Sequence, residues 1–148
     1  MSNGTLAKVE ARTAAEVCKR FPLGEDAKKL LRDGMTPPQF LAVLTEKQLA
    51  VDAVRFLAHA LPKREAVWWA CLCARQAAGG NLPAKPAAAL QAAERWAADP
   101  SEDNRRKAQA AAEAAEMSTP AGCAAMAAFW SGGSMAPRTC RPSPRARR

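Results

Sequence analysis

Helix-start signals recur along this chain at short intervals, and they limit what it can become. Thr13, Thr36, Thr45, Ser101 and Thr119 each stand just ahead of a segment with helical apolar spacing, and prolines follow two of them at 37 and 120. A Ser or Thr there accepts a hydrogen bond from a backbone N–H that the helix leaves unsatisfied, and a proline at the first helical position gives up an N–H that had no partner. Pro22, Gly34, Leu61-Pro62, Gly79-Gly80, Asp99-Pro100 and Ser131-Gly132-Gly133 supply the stops. Roughly a quarter of the 148 residues are alanine, aromatics are 5% and tyrosine is absent. Alanine is the strongest helix former and a weak strand former, which argues against a sandwich or barrel. With 49% hydrophobic residues a packed core is within reach. The expectation is an all-α chain: an irregular bundle of about seven or eight short helices with disordered termini. The boundaries read as a flexible leader over 1–12, a single helical domain over 13–133 and a basic tail over 134–148.

The predicted segments follow from those signals. Thr13-Ala-Ala-Glu16 is a capping box for a helix that carries Val17 and Phe21 and stops at Pro22. Residues 25–32 form one or two turns with Leu30 and Leu31 inward. Thr36 and Pro37 open a helix with the stripe Phe40, Leu41, Leu44. Thr45-Glu-Lys-Gln48 reads as a second capping box, for a helix reaching about Leu61 with Asp52 and Arg55 weakly paired. Further helices are expected over 63–78, from about 87 to 98, from Ser101 to about Met117, and from Thr119 to Trp130. The Ala66–Ala74 stretch is apolar at every position. A helix apolar all round is normally central, and adjacent Trp68 and Trp69 must then serve two packing surfaces. If Trp68 is buried, its truncation costs about 3–5 kcal/mol. Of Trp68, Trp69, Trp96 and Trp130, two or three are expected in the core and one, Trp69 or Trp130, at the edge of a groove.

Signals for chemistry are sparse. The net charge is +8, but Arg138, Arg141, Arg145, Arg147 and Arg148 supply five of those charges, and without them +3 remains. The tail reads as a solvated end. Five cysteines, Cys18, Cys71, Cys73, Cys123 and Cys140, include no C-x-x-C pair. Cys71 and Cys73 are about 200° apart on a helix and cannot grip one ion. They read as reduced thiols filling core positions. His59 is the only histidine, and no nucleophile or orienting carboxylate can be assigned to it. Lys63 and Arg64 sit in a first helical turn, where the dipole disfavours them; they read first as a solvated helix start, and otherwise one of them pairs elsewhere or faces a partner. Asn104-Arg-Arg-Lys107 reads as a solvated face, and neither glycine pair has the pattern of a phosphate loop. No apolar run approaches the ~20 residues of a membrane span. The first residues, Met-Ser-Asn-Gly-Thr-Leu-Ala-Lys, show no apolar core of a secretory signal.

Four stretches carry a family likeness: Leu61-Pro-Lys-Arg-Glu-Ala-Val-Trp-Trp-Ala-Cys71, Ala93-Glu-Arg-Trp-Ala-Ala-Asp-Pro100, Glu102-Asp-Asn-Arg-Arg106, and Phe129-Trp-Ser-Gly-Gly-Ser-Met-Ala-Pro137. In this order, over about residues 36–137, the chain resembles an uncharacterised bacterial family of small helical proteins, a domain of unknown function. The resemblance implies a neighbourhood of type VI secretion genes and brings no activity, cofactor or catalytic residue. Family members continue through a Pro-rich linker into a further hydrophobic stretch. Here Arg138-Thr-Cys-Arg-Pro-Ser-Pro-Arg-Ala-Arg-Arg148 follows instead, a composition that an out-of-frame or truncated reading of a GC-rich gene gives.

The functional expectation is a non-enzymatic, cytoplasmic helical interaction protein whose partner is another protein. No catalytic, cofactor or metal residue is assigned, nucleic acid is not the expected partner, and Lys63, Arg64, Trp69 and Trp130 are the candidate surface. The alternatives are a small enzyme with an unrecognised site and a nucleic-acid-associated protein using its tail. Pro137, Pro142, Pro144 and five unbalanced arginines leave the tail too little apolar surface to offset its ordering entropy, about 1–2 kcal/mol per residue. Limited trypsin digestion should therefore cut after Arg138 before any helix. Truncation after residue 133 should leave the melting temperature nearly unchanged; unfolding on truncation would show that the tail packs.

Overall fold

The computed structural model describes residues 6–133. The first five residues, the whole 134–148 tail and Cys140 lie outside the described residues. Eight α-helices and no strand occur among those described: α1 (Ala14–Cys18), α2 (Glu25–Leu30), α3 (Pro37–Glu46), α4 (Ala50–Ala60), α5 (Lys63–Ala78), α6 (Ala84–Ala98), α7 (Glu102–Ala114) and α8 (Pro120–Trp130). The all-α expectation holds. Contacts divide the chain into two compact units, Met1–Ala66 and Val67–Arg148, with the boundary inside α5.

Most of the caps form where the sequence places them. Thr13, Thr36, Ser101 and Thr119 each accept from the backbone N–H three residues on. At Thr36 the Gln39 side chain also returns to the Thr36 N–H, completing a box. Thr45 is the exception. Its hydroxyl donates to the Leu41 carbonyl at 2.8 Å from within α3, so it caps nothing. The helix runs on to Glu46 and closes with Gln48 in the left-handed region at φ 58°. Gln48 N–H reaches Thr45 O and Leu49 N–H reaches Leu44 O, the two bonds of a Schellman stop, here made without glycine. Leu49 packs against the core beside Leu44, and α4 starts one residue later. A second departure is at α6, which begins at Ala84, three residues before the expected start. Pro86 is its third residue, where the N–H has no intrahelical acceptor and its loss costs nothing. At α7 the helix stops at Ala114 rather than near Met117, with Glu116 left-handed at φ 64°.

In the first unit, Phe40 from α3 meets Phe56 from α4 edge-to-face at 5.1 Å, both fully buried. Val17, Ala27, Leu44 and Ala60 fill the space around them. Asp52 does not pair with Arg55; its carboxylate accepts the Gly24 N–H at 3.0 Å and holds the start of α2 on α4. His59 lies flat on Phe21, ring centroids 4.8 Å apart, and its carbonyl accepts from Arg20.

The second unit is built on α6, α7 and α8, which pack mutually. Its core is mainly alanine, with Leu90, Trp96, Met126 and Phe129 as the large residues. The helix buried nearly all round is α8: Ala121, Gly122, Ala124, Ala125, Met126, Ala128 and Phe129 are all inside. This corrects the assignment of α5 as the central helix. From α5 only the stripe Val67, Cys71, Ala74 is buried, while Trp68 is 44% and Leu72 50% exposed. No charged or amide side chain occurs over Pro120–Trp130, whereas α5 carries Lys63, Arg64, Glu65, Arg75 and Gln76 outside its apolar run. Small side chains let α6 and α7 close against α8, whereas the large Trp68 and Leu72 project about 100° round α5 from Val67 and Cys71. Of the four tryptophans Trp96 alone is buried; Trp69 is half-buried and Trp130 is 62% exposed.

The corner between α7 and α8 turns on one hydroxyl. Thr119 Oγ1 donates to the Glu116 carbonyl at 2.8 Å, with the Ala115 carbonyl at 3.1 Å, and accepts from Gly122 N–H. A Cβ at Gly122 would collide with the Glu116 carbonyl oxygen, a backbone atom that cannot swing away. Gly122→Ala should therefore destabilise by about 1–3 kcal/mol or more through overpacking. Gly132→Ala, at a position with open space around it, should change the melting temperature little. Equal melts for the two variants would refute this account of the corner.

Candidate functional site

The strongest polar constellation lies where sequence reading places only a solvated basic face. In Asn104-Arg-Arg-Lys107, Arg105 is buried at 3% exposure. Its Nε and Nη2 donate to the two Glu102 oxygens at 2.7 and 2.9 Å, a fork geometry that only arginine offers. Its Nη1 donates to the Phe129 carbonyl at 2.7 Å, one of the last-turn carbonyls that α8 leaves unsatisfied. The guanidinium lies 4.6 Å from the centroid of the Phe129 ring, with that of Arg106 5.3 Å away. Arg106 Nε also donates to Glu102, at 2.9 Å. Gly133, left-handed at φ 66°, closes over Arg105, and a Cβ there would run into the guanidinium. Asn104 is buried too, its amide held by the Asp99 carbonyl at 2.9 Å. This cluster joins the start of α7 to the end of α8, and it commits Arg105 and Arg106 to contacts within the fold. The sequence signal was present: Glu102 stands three and four residues before the two arginines.

The hydrogen bonds from Arg105 and then Arg106 hold the Glu102 carboxyl down at about 2, against an ordinary 4.5. A depressed carboxylate contributes stability that is complete above its ordinary value and is lost as pH falls through the folded one. Glu102→Gln should melt below the parent at pH 7, and the gap should close between about pH 4.5 and 2. A gap independent of pH would show that the charge is not what matters. Arg105→Lys keeps the charge but loses the fork, so Phe129 O or Glu102 goes unserved, at about 1–3 kcal/mol.

The thiols separate by place. Cys71 is fully buried, with Sγ 4.0 Å from Leu90 O, beneath the Arg75–Glu94 pair that joins α5 to α6 at 2.6 and 2.8 Å. Burial, then the Glu94 charge, pushes its pKa up to about 12, although Arg75 pulls the other way. Burial also raises Cys18. Cys73 and Cys123 are exposed, so the expectation that the cysteines fill core positions holds for Cys71 and fails for these two. Their separation follows from the 200° between positions 71 and 73. Alkylation at pH 8 should modify Cys73 and Cys123 fast, and Cys71 only when the fold opens. Rapid labelling of Cys71 in the folded protein would contradict its burial. Among the described residues no group of three or more His, Cys, Asp or Glu is placed to hold a metal ion.

The residues picked from sequence as a surface are placed as follows. Lys63 and Arg64 are exposed in the first turn of α5, Trp69 is half-buried further along it, and Trp130 is the exposed last residue of α8. Trp68 and Leu72 were not among them. They stand one turn apart on the exposed side of α5 and form an apolar pair there. No sequence signal separates them from the inward stripe Val67, Cys71, Ala74, because the run from Ala66 to Ala74 is apolar on every side. A separate apolar groove of about 280 Å³ lies between the end of α5, the 81–83 loop and the starts of α6 and α8, lined by Ala74, Leu82, Pro86 and Pro120 among others.

Residues 40–148 match a family of unknown function, DUF6931. The chain belongs to that family. The matched range runs to residue 148, through the part of the tail after residue 137 that lay outside the likeness. No curated protein and no solved structure matches the chain. Two of the stretches that carried the resemblance, Glu102–Arg106 and the Phe129–Gly133 portion of the last, are the ones that meet in the Arg105 cluster. Among the described residues no helix is long and apolar enough to cross a membrane.

Proposed function

We propose that this protein is a non-enzymatic helical interaction module that binds another protein through the exposed side of α5. The observation that supports the reading is the pair Trp68 and Leu72, 44% and 50% exposed on a helix whose adjoining stripe Val67, Cys71, Ala74 is core. Tryptophan is enriched among residues that dominate binding energy, because one ring buries much area at small entropy cost. Trp69 is the neighbouring ring on α5, and Trp130 offers a second exposed ring at the end of α8. The commitment of Arg105 and Arg106 to Glu102 and Phe129 speaks against a phosphate-binding face at that cluster. The cellular setting belongs to the same proposal and rests on the family resemblance: a cytoplasmic accessory or adaptor of a type VI secretion system.

The test is affinity purification of the tagged full chain from its native cells, beside the double variant Trp68→Ala, Leu72→Ala. A partner should copurify with the parent and be lost from the variant. Because Trp68 is half-exposed, its single substitution should cost about 1 kcal/mol rather than the larger loss expected of a core ring. Folding can be checked by thermal melt on the same samples. Retention of every partner by a folded double variant would overturn the α5 surface. A partner outside the secretion machinery would remove the proposed setting and leave the interaction reading standing.

A further inference from the structure

We draw no further inference here: the strongest candidate, the alanine- and proline-lined groove between the end of α5 and the starts of α6 and α8, carries nothing because nothing in the structure shows what covers it.

Discussion

The Arg105 guanidinium is the interaction on which the second unit most depends. A buried positive charge is costly to desolvate and is tolerated only when it is paired and hydrogen-bonded. Here Glu102 takes two N–H groups, the Phe129 carbonyl takes a third, and the Phe129 ring covers one face. The same contacts satisfy the end of α8, where the partial negative charge of the helix favours a cation. They also fix the start of α7, because Glu102 is its first residue and Ser101 its cap. The capped start of α7 and the open end of α8 are thus held against each other by one side chain.

That closure works only if the helices lie near one another, and alanine and glycine allow it. Ala108 and Ala112 of α7 and Ala124, Ala125 and Ala128 of α8 are all buried. Small residues lower the area buried per residue but bring backbones close, so dispersion contacts replace the bulk that larger side chains would supply. Gly122 is the limit of this arrangement, since its α-carbon faces the backbone of the α7–α8 corner with no room for a methyl group. The first unit uses the opposite solution, with Phe40 and Phe56 as bulky residues at its centre. One chain therefore holds two cores of different kinds.

The proposed interaction surface follows from the same economy. An alanine-rich unit leaves few large residues to spend, and two of them, Trp68 and Leu72, face outward on α5. Trp130 follows directly on the buried Phe129, so the end of α8 presents one ring to the core and the next outward. The chain-level periodicity already separates such neighbours by about 100°.

Local chemistry alone determined the helix count, most caps and the all-α class. A hydroxyl that serves the N–H three residues on, a proline with no N–H to lose and a glycine at positive φ each act within one turn, so sequence reading reaches them. The same reading failed at Thr45, whose hydroxyl had two acceptable uses and took the carbonyl behind it once Leu49 could pack beside Leu44. It failed again in ranking α5 above α8, because apolar composition says that a helix can be buried and not which of its sides finds a neighbour. It read Arg105 as solvated because the Phe129 carbonyl that pairs with it lies 24 residues away. Local hydrogen bonding set where the helices begin and end, and only tertiary packing decided which apolar side was covered and which charge was buried, since both depend on atoms brought close by the fold rather than by the chain.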